Sequence, residues 1–287
     1  MGIPYAEVIG DPIEHSKSPL IHKFWLEELG LAGDFRATRV ESSELAGFLE
    51  RRITDRDWRG CNVTIPHKTA AAGLAYQLVG PASAVGAVNC LVKSGNFEPV
   101  LYGHNSDVAG VIGPLRKFDV VRGGYRFAHV VGTGGAAAAA TFALGRLGFT
   151  VFNYGRTREK AQALRDRVGE EDDDFALDLD DLYRSGSLCT ASEASVVELL
   201  VNATPMGMNG YPPLGLDLGS WDTHTIVYDL VYAPLETPLL ADARARGMET
   251  IDGLHMLVGQ AAAAFELFFH RPAPREHDAA LRGLLIR

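Results

Sequence analysis

Residues Arg126–Tyr154 read RFAHVVGTGGAAAAATFALGRLGFTVFNY, and no other stretch constrains the architecture as tightly. Arg126–Val131 reads as a strand, Gly132–Gly135 as a turn and Ala136–Leu147 as a helix stopped by Gly148; Phe149–Tyr154 is the next strand. Strand, glycine turn, helix and strand within about thirty residues make a βαβ unit. The turn satisfies G-x-G-x-x-A with Gly132, Gly134 and, closing the pattern, Ala137; Gly135 and Ala136 lie between and open the helix. Glycine lets the backbone turn sharply, and the free N–H groups at the helix start face a pyrophosphate.

The end of the second strand selects the nucleotide. An NAD site places a carboxylate there for the ribose hydroxyls. Thr150–Arg158 holds no Asp or Glu and instead offers Arg156, Thr157 and Arg158. Guanidinium binds a 2′-phosphate in bidentate geometry, so this end reads as an NADP site. A methyltransferase also prefers an acid at this position, so its absence counts against that class too.

Upstream, roughly Ala6–Val111 alternates strands and helices. Tyr5–Gly10 is a strand; Ser18-Pro19 opens a helix with Ser18 as N-cap, Leu20, Ile21, Phe24, Trp25 and Leu29 on one face, and Gly30 as its stop. Phe35–Val40 is a strand, Glu44–Arg51 a helix and Gly60–Ile65 a strand; Pro66 then starts a helix through Ala75. Ala87–Lys93 and Val100–Gly103 form a strand pair around Asn96, and Arg122-Gly123-Gly124 breaks the chain before the βαβ unit. Downstream, Arg158–Val168 is a helix, Val196–Val201 and Thr225–Leu230 are strands, and His255–Phe269 is an apolar helix with a shorter one after Pro274. The acidic run 170–174 reads as a solvated loop.

Composition bounds the function. The chain has 287 residues, about two domains' worth at roughly 150 residues each. With 47% apolar and 22% charged residues it is a globular chain, not a disordered, collagen-like or coiled-coil one. A net charge of −9 lacks the basic face that nucleic-acid binding requires. The three cysteines, Cys61, Cys90 and Cys189, form no C-x-x-C pair and read as reduced thiols of a cytoplasmic protein. The N-terminus lacks a signal-peptide pattern, and the most apolar stretch, 134–149, is too short to span a bilayer.

Polar residues gather at the ends of the upstream strands. Ser16 and Ser18 stand at a helix start, where hydroxyls suit a carboxylate. In Asn62-Val63-Thr64-Ile65-Pro66-His67-Lys68, strand alternation puts Asn62 and Thr64 on one face, and Lys68 falls in the first turn of the following helix. A cation at that end opposes the helix dipole, which suits an acid/base group. Asn89 and Asn105-Ser106-Asp107 add polar tips. His15, His67 and His104 read as loop residues lining a cleft, and no histidine spacing suggests a metal.

In this order the segments resemble the shikimate dehydrogenase family over nearly the whole chain. Gly10–Pro19 is similar to the family's opening substrate motif, Asn62–Lys68 to its N-V-T-x-P-x-K motif, and Gly86–Asn89 and Asn105–Asp107 to further substrate motifs. Gly132–Ala136 resembles the nucleotide turn and Asn202–Met208 the loop beside the nicotinamide; Asp229–Tyr232 and Gly253–Leu257 with Gln260 complete the set.

The resemblance implies an α/β fold of two domains with a cleft between them. Residues 1–110 plus 254–287 are expected to form a substrate domain with a mixed sheet, and residues 111–253 a Rossmann-like NADP domain. The implied reaction is reversible reduction of 3-dehydroshikimate to shikimate, in aromatic amino-acid biosynthesis, with NADPH as hydride donor. Lys68 and Asp107 are implied as the catalytic pair. Ser16, Ser18, Asn62, Thr64, Asn89, Tyr232 and Gln260 are implied as substrate contacts. Gly132, Gly134, Gly135, Ala136, Arg156, Thr157, Thr204, Met206 and Gly253 are implied on the cofactor side. A small-molecule substrate, no nucleic acid, membrane or metal, and a monomer or homodimer are expected.

Four positions depart from the family pattern: Gly155 stands for an Asn, Ser106 for a Thr, Lys23 for an Asn and Ala233 for an Asn. They leave open a quinate/shikimate or aminoshikimate dehydrogenase with a shifted substrate or with NAD.

Overall fold

The structure, a computed structural model, describes residues 2–95, 97–116, 125–168, 175–184, 186–188 and 196–287. The acidic run 170–174, Cys189, Asn96 and the 122–124 break lie outside the described residues. The chain forms two compact units, Met1–Ser106 with Gln260–Arg287, and Asp107–Gly259.

Unit 1 is built on a six-stranded mixed sheet in the order β2-β1-β3-β5-β6-β4. β1 (Tyr5–Gly10) is buried along its whole length and pairs in parallel with β2 (Asp34–Arg39) and β3 (Trp58–Val63). β5 (Cys90–Ser94) and β6 (Val100–His104) form an antiparallel hairpin that continues the sheet from β3, and the short β4 (Gln77–Leu78) closes the edge. Alternation along β1 feeds two apolar layers, as the period of two requires. Tyr5 and Ile9 pack with Leu45, Phe48, Trp58, Cys61 and Leu91, while Ala6 and Val8 pack with Phe35, Cys90, Ala264 and Phe268. Cys61 and Cys90 therefore belong to opposite layers; both are free and buried, and burial pushes both thiols up from their ordinary range.

Helix α1 (Ser18–Glu28) begins at Ser18 itself, with Lys17 before it and no side-chain cap from that residue. Ser18 is thus not the N-cap. The hydroxyl that serves the helix start is Ser16 Oγ, which accepts the Ser18 N–H at 3.3 Å. Pro19 fits because the first turn lacks an internal N–H partner anyway. α2 is Leu45–Ile53, α3 Lys68–Leu74 and α4 Pro81–Val85.

Unit 2 has an all-parallel sheet in the order β12-β11-β10-β7-β8-β9. Its strands are β7 (Tyr125–Val131), β8 (Thr150–Gly155), β9 (Phe175–Asp178), β10 (Val196–Asn202), β11 (Ile226–Asp229) and β12 (Thr250–Ile251). The order runs outward from β7 in both directions, so β7 and β10 flank the point where ligands bind in doubly wound sheets. The helices are α5 (Asp107–Leu115), α6 (Gly135–Arg146), α7 (Arg158–Val168), α8 (Leu179–Arg184) and α9 (Pro238–Ala245). α6 buries Ala137, Ala138, Ala139, Ala140 and Ala143 completely. Methyl side chains let a helix covered on all sides approach its neighbours closely. α10 (Gly253–Phe269) starts in unit 2 and ends in unit 1, where α11 (Asp278–Leu285) follows it.

His22 of α1 is fully buried in unit 1, stacked on Phe35 at 3.8 Å and surrounded by Trp25, Phe265 and Phe268. Neither ring nitrogen has a hydrogen-bond partner among the described residues. Burial without a counter-charge pushes its pKa down to about 3. The unfolded chain takes up this proton near pH 6.5 and the folded protein does not. Stability therefore falls as pH drops below about 6.5, by about 1.4 kcal/mol per unit. Urea unfolding at pH 7 and pH 5 is expected to show about 2 kcal/mol less acid sensitivity in His22→Leu than in the parent; equal sensitivity would assign the acid response elsewhere.

Candidate active site

In unit 1 the polar residues collect where β3, β5 and β6 meet. Asn62 on β3 is 5% exposed; its Nδ2 donates to the Asn89 carbonyl at 3.2 Å, and its Oδ1 is buried with no hydrogen-bond partner among the described residues. The same Asn89 carbonyl accepts the Val63 N–H at 2.8 Å, and the Asn89 N–H reaches the His104 carbonyl at 3.2 Å. The Asn89 side chain faces Ser106. Its Oδ1 accepts the Ser106 N–H at 2.7 Å, and its Nδ2 donates to Ser106 Oγ at 3.0 Å. Ser106 Oγ in turn lies 3.3 Å from Asn89 Oδ1 and 3.4 Å from Gln260 Oε1; turned toward Gln260, its one proton completes a donor chain from Asn89 through Ser106 to Gln260. Three strand ends and one helix thus converge on buried amides and a hydroxyl. Asn105 supports the cluster, its Nδ2 on the Ala87 carbonyl at 2.9 Å.

Lys68 opens α3, half-buried, and its carbonyl accepts the Val88 N–H at 2.9 Å, which ties the helix start to the loop before β5. The turn before it is anchored by His67, 1% exposed, whose Nε2 lies 2.7 Å from the Val40 carbonyl and must donate there. His67 is therefore a buried tether, not a cleft-lining loop residue: a single strong acceptor inside the fold holds its ring. His104 is the last residue of β6 and half-buried, and burial lowers its pKa. His15 is exposed. Thr64 and Ser16 are half-buried and Ser18 is buried; the Thr64 N–H bonds the Ile9 carbonyl at 2.9 Å.

In unit 2, Asp107 is the first residue of α5, 3% exposed, and follows Ser106 directly in the chain. The glycine turn fits a dinucleotide on three counts. Gly132 has φ +123°, and a Cβ there would stand 2.9 Å from the Ala203 carbonyl oxygen. A Cβ at Gly134 would meet nothing within 4 Å, so the backbone beside the start of α6 is open to close approach. Gly134 precedes α6 and, having no side chain, leaves the N–H groups of Gly135, Ala136 and Ala137 without a side-chain cap. Arg156 and Thr157 are exposed between β8 and α7.

The loop after β10 is held by buried hydrogen bonds. Asn202 Oδ1 accepts the N–H of Thr204 at 3.1 Å and its hydroxyl at 2.7 Å, while Asn202 Nδ2 donates to the Met206 carbonyl at 2.9 Å and to Asp229 Oδ1 at 2.9 Å. Asp229 Oδ2 accepts Thr237 Oγ1 at 2.6 Å. Burial raises the pKa of Asp229, opposed by these bonds. Burial likewise raises that of Tyr232. Gly253 begins α10 where a Cβ would stand 2.4 Å from the Val231 carbonyl, so only glycine lets the helix start against the segment that carries Tyr232. Ser106 and Asn202 lie inside motifs that carry the family resemblance, without a site role of their own there, and Thr237 lies in none of those motifs. The strand register brings Asn202 opposite Asp229, where both close their strands, a pairing that the sequence by itself does not show.

Unit 1 thus presents amides, hydroxyls and a lysine, a set suited to a small polyhydroxylated acid, and unit 2 presents a nucleotide cradle. Among the described residues no group of three or more His, Cys, Asp or Glu could hold a metal, and no helix is long and apolar enough to cross a membrane.

Known proteins are similar to this chain over nearly its whole length. Residues 8–91 match the family model of the shikimate dehydrogenase substrate binding domain, and residues 253–279 that of the shikimate 5′-dehydrogenase C-terminal domain. Among solved structures, a shikimate 5-dehydrogenase from Thermus thermophilus in complex with NADP(H) and shikimate is 33% identical, with a TM-score of 0.81 over 98% of this chain and 99% of that one. A quinate dehydrogenase from Corynebacterium glutamicum in complex with NAD is 27% identical, with a TM-score of 0.82 over 98% and 99%. A shikimate dehydrogenase (NADP(+)) of Sphingopyxis alaskensis is 46% identical over 99% of this chain and 97% of its own length. With that identity sustained from end to end, the chain belongs to the shikimate dehydrogenase family.

Proposed function

We propose that this chain catalyses the reversible, NADP-dependent reduction of 3-dehydroshikimate to shikimate, with unit 1 as the substrate domain and unit 2 as the NADP domain. The observation that carries the substrate reading is the Asn89–Ser106–Gln260 donor chain beside the unpartnered Asn62 Oδ1. A ring that carries several hydroxyls supplies a donor for each open acceptor, and an analogue lacking one leaves a buried polar group unpaired, at about 1–3 kcal/mol. Asn62, Thr64, Asn89 and Gln260 are assigned to the ring hydroxyls, and Ser16, Ser18 and Tyr232 to the carboxylate. When bound, the reduced nicotinamide supplies a hydride to the ring ketone.

The chain's own task is then the proton. Lys68 donates it to the oxygen left negative as the carbonyl is reduced, and Asp107 shares it; in the oxidative direction the same groups take it back. On the cofactor side, the open backbone at Gly132, Gly134, Gly135 and Ala136 receives the pyrophosphate. Arg156 and Thr157 are assigned to the 2′-phosphate, and Thr204, Met206 and Gly253 to the nicotinamide end. Buried thiols and the NADP reading support a cytoplasmic enzyme, active as a monomer or homodimer.

Shikimate and quinate, each with NADP+ and NAD+, test the reading through nicotinamide absorbance. Turnover of shikimate with NADP+ is expected to exceed the other three combinations; quinate turnover at an equal rate would overturn the substrate assignment.

Two substitutions test the roles. Lys68→Met is expected to lower kcat by about a hundredfold or more while changing shikimate KM far less. An unchanged kcat would remove Lys68 from proton transfer. Arg156→Ala removes a charge-assisted, bidentate contact of about 1.5–3 kcal/mol, so kcat/KM for NADP+ is expected to fall about tenfold or more. NAD+ kinetics are expected to stay put, and equal losses on both cofactors would show that Arg156 does not read the phosphate.

A further inference from the structure

The turn between β8 and α7 carries two arginines and a threonine, yet most of this donor set is already engaged. Gly155 ends β8 without a side chain, and there is no room for one: a Cβ would stand 2.8 Å from the Thr157 carbonyl, 3.0 Å from Thr133 Cγ2 and 3.1 Å from the Ala161 nitrogen. The Glu159 carboxyl is held below its ordinary range by its own backbone N–H first and then by the Thr157 hydroxyl. Arg158 donates from Nη2 to Asp181 Oδ2 at 2.9 Å. Arg156 alone is exposed with no partner among the described residues.

Asp181 is well placed to hold Arg158. It lies on α8, and its N–H bonds Asp178 Oδ1 at 2.9 Å while its own Oδ2 accepts the Asp178 N–H at 3.2 Å. Asp178 in turn pairs with Gly155 across β8 and β9. The carboxylate is therefore fixed to the strand beside the one that ends in the turn. The sequence shows no acid from Thr150 to Arg158, but the fold brings one back from α8.

We propose that Asp181 is a specificity-determining positioning residue for the nucleotide: by holding Arg158 it leaves Arg156 as the one guanidinium available to a 2′-phosphate, and so sets how strongly the protein prefers NADP over NAD. The proposal rests on the assignment of this turn to the 2′-phosphate. A second guanidinium released at this turn adds a second charge-assisted fork for a phosphate dianion and nothing for a ribose hydroxyl pair. Because the ion pair is solvent-exposed, weakening it barely affects folding; one oxygen, Oδ2, serves both Arg158 and the Asp178 N–H, so asparagine can keep a neutral acceptor there while removing the charge that holds the guanidinium.

The test is calorimetric titration of NADP+ and NAD+ onto the purified full chain and onto Asp181→Asn, Arg158→Ala, the double variant and Arg156→Ala. Asp181→Asn is expected to tighten NADP+ about fivefold, the equivalent of one exposed ion pair released, and to leave NAD+ unchanged. The double variant is expected to return to the parental affinity, which a merely structural role for Asp181 does not produce. NADP+ affinity that is unchanged or weakened in Asp181→Asn overturns the proposal. Arg156→Ala separates the two ideas: no loss of NADP+ affinity there rejects the whole assignment of the turn, whereas a loss there with no gain in Asp181→Asn rejects only the role of Asp181.

Discussion

A strand that ends inside a protein leaves backbone and side-chain polar groups that water cannot reach, and each needs a partner. Both units meet this constraint with buried asparagines. In unit 1, Asn89 joins the ends of β3, β5 and β6: its carbonyl serves Val63 and Asn62, and its side chain serves Ser106. In unit 2, Asn202 closes β10, grips Asp229 at the end of β11 and shapes the loop through Thr204 and Met206. An amide is suited to this work because it donates and accepts at once and carries no charge to desolvate. The functional loops inherit their shape from these closures.

Much of this was legible in the sequence. The βαβ unit declares itself because glycine, a helix former and an apolar strand follow one another within local reach, and α7 runs from Arg158 to Val168 as its pattern predicts. Lys68 in the first helical turn follows from Pro66. Less legible were the features that depend on distant residues. Ser18 has the residue type of an N-cap, but Ser16 sits where its oxygen reaches the Ser18 N–H. His67 reads as a polar loop residue until the Val40 carbonyl is placed beside it. β9 and α8 are short and follow an acidic run, so neither shows a usable period.

The cofactor end illustrates how a correct local reading can be incomplete. Thr150–Arg158 has no carboxylate, and that argues for NADP. The folded chain nevertheless returns Asp181 to Arg158 from more than twenty positions downstream, because β9 pairs with β8 and α8 follows β9 directly. Charge counting along a segment misses such a return; the strand order supplies it. The same strand order carries the glycine turn, since β7 and β10 are neighbours and Gly132 approaches the Ala203 backbone only because they are.

Lys68 shows what such fixing does for chemistry. Its backbone is restrained on both sides: His67 is tethered to Val40 just before it, and its own carbonyl takes the Val88 N–H. An acid/base group needs its reach defined to within a fraction of an ångström, because misplacement weakens proton transfer more than it weakens binding. A lysine side chain has four rotatable bonds and considerable entropy to lose, so a rigid attachment point removes the part of that freedom the fold can control. None of these restraints uses the Lys68 side chain. Shortening or neutralising it therefore leaves both of these hydrogen bonds in place, and with them the position from which the side chain starts.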